Sequence, residues 1–358
     1  MRNDRKDTSP FRVTSPVPRE VWESLTGSSQ DVVVSQSLRW RDAVLASGVY
    51  TDVSLLYEFS SGRQVLMPMV QRRWRTPLEP TAASWPHRWG AGGPISRGGE
   101  TGPAEAAAVL GHVARRDMFG AEIHLSHVSK PLWLNAAPQF RIVKEPYYVL
   151  DLAGGFGEVW QRKFKGTFRW SVRKAERLGV DVEVDRSGRL LEVFYGLYQK
   201  SIQRWSVMMR EPSWFARWHV TRFTPLSMLQ AVATNFGPDC ATWIARSGGV
   251  PVAAMIIVNG GSRTLAWKAA MDKSAGGRLR ASHLLQRLAI EEACASGSRF
   301  YDMGLAEPGS SLASFKESLG AALHFTHYLQ AQRIPVQQAV DLPWNLARRA
   351  VTLRSNRR

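Results

Sequence analysis

The sequence predicts an α/β fold of the α+β kind, with mixed, mostly antiparallel sheets flanked by helices and arranged as two units in tandem. Three observations predict it. Runs of β-branched and aromatic residues alternate with stretches whose apolar residues recur every three or four positions. In the second half four strand-like runs follow one another, Ser227 to Thr234, Ala241 to Arg246, Val250 to Asn259 and Arg263 to Ala270, with Gly-rich turns such as Gly248-Gly249 and Gly260-Gly261 between them, as in an antiparallel meander. At 358 residues and 44% hydrophobic content, the chain can bury two cores.

Residues 1–10 are polar and read as a tail. Pro18 to Leu25 reads as a short helix, Gln30 to Ser37 as a strand, and Leu38 to Ser47 as an amphipathic helix with Leu38, Trp40, Val44 and Leu45 inward. Residues 53–59 and 63–74 form a hairpin about Ser60-Ser61-Gly62. From Thr76 to Gly102 the chain is rich in Pro, Gly and Trp and is long for a simple connection. There Trp85 to Gly90 offers either an aromatic platform for a ligand or packing over a seam. Ala104 to Phe119 is a helix, and Ala121 to His127 and Tyr147 to Leu152 are strands. The Gly-rich Ala153 to Glu158 marks a boundary near residue 155, dividing the chain into 1–10, 11–154, 155–334 and a basic tail at 335–358.

Phe156 to Leu178 reads as one helix ending at Gly179. Arg162, Lys165, Arg169, Arg173 and Arg177 step by three or four along one face, widened by Lys163 and Lys174. Glu176 is the only acid between Arg162 and Arg177, so the face has almost no i,i+4 partners and either binds an external anion or is solvated. The next helix, near Leu191 to Arg204, carries Tyr198 and Arg204, with Arg210 beyond it. Lys273 to Gly320 then reads as a glycine-and-arginine loop containing Arg278 and Arg280, a helix, a short buried strand, a polar loop and a helix carrying Phe315 and Lys316. A glycine loop before a helix N-terminus is how many folds hold a phosphorylated ligand.

The order LLQxxxIxxAxxxG (Leu284 to Gly297), YDxG (Tyr301 to Gly304) and SxxxFKxxxG (Ser311 to Gly320) resembles the C-terminal signature of the FemAB-like aminoacyltransferases of the GNAT superfamily, as does the basic stretch Phe164 to Val184. The resemblance spans the second half and implies two tandem GNAT-like domains. It implies amide-bond formation, an amino acid passing from aminoacyl-tRNA to an amine acceptor that is a peptidoglycan precursor or a small molecule such as an antibiotic intermediate. It also implies that Lys316 and Phe315 sit by the donor, with Lys316 at the tRNA terminus or the tetrahedral intermediate, and that Tyr198, Arg204 and Arg210 face the acceptor; Trp85, in the aromatic platform, is a further acceptor candidate. On residue type alone Tyr198 is equally a core residue and Lys316 a surface lysine. Asp302 is a base or a loop cap. The long coiled-coil arm of some bridge-forming relatives has no heptad counterpart here.

The charge favours the tRNA donor. Forty-seven Lys and Arg against thirty Asp and Glu leave +17, which calls for an acidic partner, a nucleic acid above all, unless a compositional bias toward arginine accounts for it. A coenzyme A site of GNAT type favours a small residue where Lys273-Ser-Ala-Gly-Gly-Arg278 has Arg278. Acetyl- or acyl-CoA transfer is therefore the alternative, and an RNA-binding protein without chemistry a further one. No resident cofactor is expected. Cys240 and Cys294 lack CxxC spacing, the eight histidines show no metal spacing, and neither a GxxxxGK[ST] loop nor a GxSxG elbow occurs. ATP use, a structural zinc and an acyl-enzyme are therefore unsupported. With no signal peptide and no run approaching roughly 18 apolar residues, the expectation is a cytoplasmic protein, with room for peripheral membrane contact.

Overall fold

The computed structural model describes residues 11–27, 32–73, 82–86, 89–97, 101–116, 120–209 and 224–331. The tails at 1–10 and 335–358 and the candidate Arg210 lie outside these. One sheet has four antiparallel strands in the order β1 (Phe11–Thr14), β3 (Leu55–Phe59), β4 (Gln64–Met67), β7 (Ile95–Arg97). The other runs through eleven strands: β10 (Asp181–Asp185), β11 (Cys240–Ser247), β12 (Val250–Asn259), β13 (Arg263–Met271), β14 (Phe300–Leu305), β9 (Arg141–Asp151), β15 (Ala322–Ala331), β8 (Ala121–Leu125), β6 (Ala82–Ala83), β5 (Val70–Arg72) and β2 (Tyr50–Asp52). Its pairs are antiparallel except β13 with β14 and β6 with β8. The last strand of the described residues, β15, lies between β9 and β8 and so carries the sheet from one half of the chain into the other.

The helices of the described residues are α1 (Arg19–Gly27), α2 (Leu38–Ala46), α3 (Pro103–Arg116), α4 (Leu132–Asn135), α5 (Gly155–Glu158), α6 (Gly166–Arg177), α7 (Leu191–Met209), α8 (Leu226–Phe236), α9 (Lys273–Leu279), α10 (Ala281–Ala295) and α11 (Ser311–Ser318). One apolar core lies between α6, α10 and the sheet, built on Phe164, Phe168, Val172, Leu285, Ile290 and Tyr301. A second joins α2, α7 and α8 to a group of tryptophans, with Trp40 and Trp267 edge to face at 5.2 Å. A third fills the space around α3, β3, β4 and β8.

Four stretches depart from the sequence expectation. The strand predicted at Ser227 to Thr234 is α8, because Met228, Leu229, Val232, Ala233 and Phe236 recur with helical spacing and all bury. A short apolar run does not distinguish the two periods by itself. Within Gln30 to Ser37 the described part is a single 3-10 turn, Val34–Gln36. There Ser35 Oγ and Gln36 Nε2 donate to the carbonyls of Ala91 and Gly93 at 2.7 and 2.9 Å, so side chains rather than a ladder tie this segment down. The glycine-and-arginine loop at Lys273 is the helix α9, capped by Asp272, whose carboxylate accepts from the Ser274 and Ala275 amides.

The long basic helix is broken. After α5 the chain makes a π-helical turn, Val159–Lys163, closed by Phe164 N–H donating to Val159 O at 3.0 Å, and Phe164 is extended before α6 begins. Arg169 turns back to donate to the carbonyls of Trp160, Gln161 and Phe164 at 3.0, 3.0 and 2.6 Å, and the Lys165 amide donates to Ser318 O at 2.8 Å. The break therefore docks the start of α6 against the end of α11.

Candidate active site

The site arises from a failure of pairing. Strands β13 and β14 run parallel, but their register covers only Arg263 to Leu265 against Phe300 to Asp302. Beyond that point the two strands diverge, and a cavity of about 1370 Å³ opens between them, lined by Ala266 to Met271 on one side and Met303 to Leu305 on the other. Two irregularities assist. Ile256 pairs with Lys268 and Ile257 with Ala266, so Trp267 is the extra residue of a bulge in β13. A second bulge, between Asp302 and Gly304, lets β14 follow β9 instead of β13.

Helix α11 brings Lys316 to this opening. Ser310 caps the helix, its Oγ accepting from Ala313 N–H at 3.1 Å, and Ala313 and Lys316, one turn apart, bury together. Lys316 is only 5% exposed, and its Nζ donates to the carbonyls of Gly304 and Leu305, both at 2.9 Å. Gly304, with φ of 74°, turns the bulge so that these two successive carbonyls converge on one ammonium. Burial brings the Lys316 ammonium down to about 7. A third position on Nζ is left after those two bonds, on a side chain that lines the cavity. Phe315 lines the same cavity and meets His283 edge to face at 5.0 Å.

The floor is the junction of α9 and α10. Gly276 lies so close to β12 that a Cβ there would stand 2.6 Å from Val252 O. Arg280, between the helices, has φ of 58°, a left-handed conformation uncommon outside glycine, and it lines the cavity as Arg278 does. Arg280 Nε and His283 Nδ1 are buried without a protein hydrogen-bond partner, as is Trp267 Nε1. Burial, and next the positive charge of Arg280, push His283 down to about 4, so the ring is neutral at neutral pH. Lys174, Arg204, Lys268, Lys273, Arg278, Arg280 and Lys316 all line the cavity, and among the described residues no Asp or Glu does.

Of the other candidates, Arg204 lines the cavity from α7 and donates to Met271 O at 2.8 Å. Tyr198 and Trp85 are core residues, 9% and 0% exposed, packed in the cluster that joins the two halves. Arg162 pairs with Glu158 at 3.3 Å, while Lys165, Arg173 and Arg177 are exposed on the outer side of α6. Asp302 does not line the cavity, although its neighbour Met303 does. It accepts two hydrogen bonds from Arg263, at 2.8 and 2.9 Å, in a site where Asp302 and Arg263 are 1% and 3% exposed. Arg263 Nη2 also donates to His127 Nε2 at 2.6 Å. A guanidinium only donates, so that nitrogen bears no proton, and the 3.4 Å approach of His127 to Asp302 is not an ion pair. Burial pushes His127 down to about 4, in accord with a neutral ring. Strand periodicity does not show which polar residues meet across a sheet, so the sequence alone does not single out His127 and Arg263. Among the described residues no group of His, Cys, Asp or Glu could hold a metal ion, and no helix is long and apolar enough to cross a membrane.

Comparison with known proteins accords with this architecture. Residues 162–316 match the family model described as an Acetyltransferase (GNAT) domain. The crystal structure of FemX is similar over 92% of this chain and 100% of its own, with a TM-score of 0.61 at 11% identity. A conserved protein of unknown function from Bacteroides thetaiotaomicron VPI-5482 is similar over 90% of this chain and 99% of its own, with a TM-score of 0.54 at 10% identity. The C-terminal domain of a putative lysylphosphatidylglycerol synthetase from Agrobacterium fabrum covers 90% of this chain and 95% of its own, with a TM-score of 0.50 at 13% identity. No curated protein matches the sequence. Residues 162–316 thus match a GNAT domain, and the fold, as the FemAB-like resemblance implies, is similar to that of FemX over nearly the whole chain.

Proposed function

We propose that this protein transfers an aminoacyl group from aminoacyl-tRNA to an amine, forming an amide bond, with residues 155–334 as the catalytic half and 11–154 as a second GNAT-like unit. One observation carries the donor assignment: the cavity between β13 and β14 has seven Lys or Arg side chains and no carboxylate among the described residues, which suits a polyanion. The FemAB-type motifs around Lys316 and the FemX-like fold support the same reading. The acceptor is an amine on a peptidoglycan precursor or a small molecule, and Arg204 is the described acceptor candidate that reaches the cavity.

The chemistry follows from the groups present. The acceptor nitrogen attacks the ester carbonyl, a C–N bond forms, and the carbonyl oxygen becomes an oxyanion. Lys316, held by two carbonyls and left with one further N–H as an ammonium, donates to that oxygen. The C–O bond to the ribose then breaks, and the proton leaving nitrogen passes to the departing hydroxyl. No protein base is needed, and the cavity-lining His283 is neutral and serves to pack Phe315.

Transfer of radiolabel from aminoacyl-tRNA pools to acceptors in a cell extract tests the proposal, with loss of transfer after RNase as the expected result. The GNAT domain match favours a second reading in which acyl-CoA is the donor. RNase-insensitive transfer that requires acetyl-CoA would establish that reading instead.

A further inference from the structure

Helix α6 exposes a large aromatic side chain in the middle of its cationic face. Trp170 is 50% exposed, although its neighbours Ser171 and Val172 are buried, so the indole is not a core residue that merely protrudes. Lys174 Nζ stands 5.3 Å from its ring centre, one turn along, and exposed Arg173 adjoins it. The indole forms one wall of a hollow of about 510 Å³ completed by Gly166, Thr167, Arg280, His283 and Ser318. Arg280 and His283 line both this hollow and the large cavity, and Lys174 lines the cavity. Arg280 and His283 therefore border both spaces, which sets the Trp170 hollow beside the cavity that Lys316 lines.

An exposed indole beside cations, next to a cationic cavity, is the arrangement on which an unpaired nucleobase stacks while its phosphates meet Lys or Arg. Stacking requires no hydrogen-bond pattern, which accords with the absence of carboxylate and amide side chains from this hollow among the described residues. Resting on the donor assignment above, we infer that Trp170 is a positioning residue that stacks on an unpaired nucleotide at the 3′ end of the donor RNA. It thereby fixes the depth to which the acyl-bearing terminal nucleotide enters the cavity. Lys174 and Arg280 hold the phosphates on either side, and the duplex part of the RNA lies outward along Lys165, Arg173 and Arg177.

The test compares a fluorescent RNA hairpin carrying an unpaired 3′ overhang with the same hairpin made blunt, each bound to the full chain. The native protein should prefer the overhang. Trp170→Ala should weaken overhang binding by about 5- to 150-fold and leave blunt binding unchanged. Trp170→Phe should restore most of the preference, which loss of a structural residue would not explain. The overhang should also quench tryptophan emission more in the native protein than in Trp170→Phe. If Trp170→Ala keeps the full overhang preference, the inference fails while RNA binding stands. It fails also if Trp170 proves necessary instead for binding coenzyme A or phosphatidylglycerol vesicles. If the native protein binds neither hairpin, the donor assignment fails with it.

Discussion

Lys316 is where a single residue decides most. Its folded value of about 7 lies below the ordinary 10.5, and two consequences follow with opposite signs. As an ammonium stabilising an oxyanion it is active when protonated, so kcat/KM should fall as pH rises through about 7. Lys316→Arg, which stays charged, should abolish that fall, and a rate that rises through 7 instead would identify the amine as a base. Lys316→Ala should lower kcat by about 10²- to 10³-fold. For the fold, the unfolded chain binds this proton between about 7 and 10.5 while the native chain does not, so stability rises with pH across that window. Lys316→Met should flatten the rise in thermal melts. Asp302 gives the contrasting case: Asp302→Asn strands Arg263 in the interior and should cost roughly 3–5 kcal/mol in urea denaturation, with kcat of the folded enzyme preserved.

At the scale of elements, the sequence was most legible where one signal dominated. The hairpin about Gly62, the strands β11 to β13 and the helix α10 follow from periodicity and turn residues, and the FK motif located α11. Other features were not legible because tertiary contacts decide them. Arg162 to Arg177 have the spacing of one continuous face, yet the π turn at Val159–Lys163 divides them and takes Arg169 for its own carbonyls. The sequence does not single out Lys268 and Trp267 as site residues, because their position depends on a bulge, which leaves no local signature. Gly276 tests the packing of α9 on β12. Gly276→Ala must move that helix away from Val252 O, and it should raise the donor KM and cost roughly 1–3 kcal/mol of stability with kcat little changed.

Across the whole molecule the excess of +17 becomes a measurable dependence on salt. Binding to an RNA hairpin should weaken with a log–log slope of about −3 or steeper if four or more phosphates are engaged. Arg173→Gln with Arg177→Gln should make that slope shallower by about 1 to 2, as read from fluorescence anisotropy between low and moderate salt.

The position of β15 constrains how this protein is made. It is the last strand of the described chain, yet it supplies the inner neighbour of both β8 and β9. During synthesis β8 is complete at Leu125 and β9 at Asp151, well over a hundred residues before their partner begins at Ala322. Until then each presents an open edge of amides and carbonyls that another chain could pair with. Closure across so long a loop is slow, so the nascent protein depends on completion of translation and on protection from aggregation in a way its stable, finished sheet does not reveal.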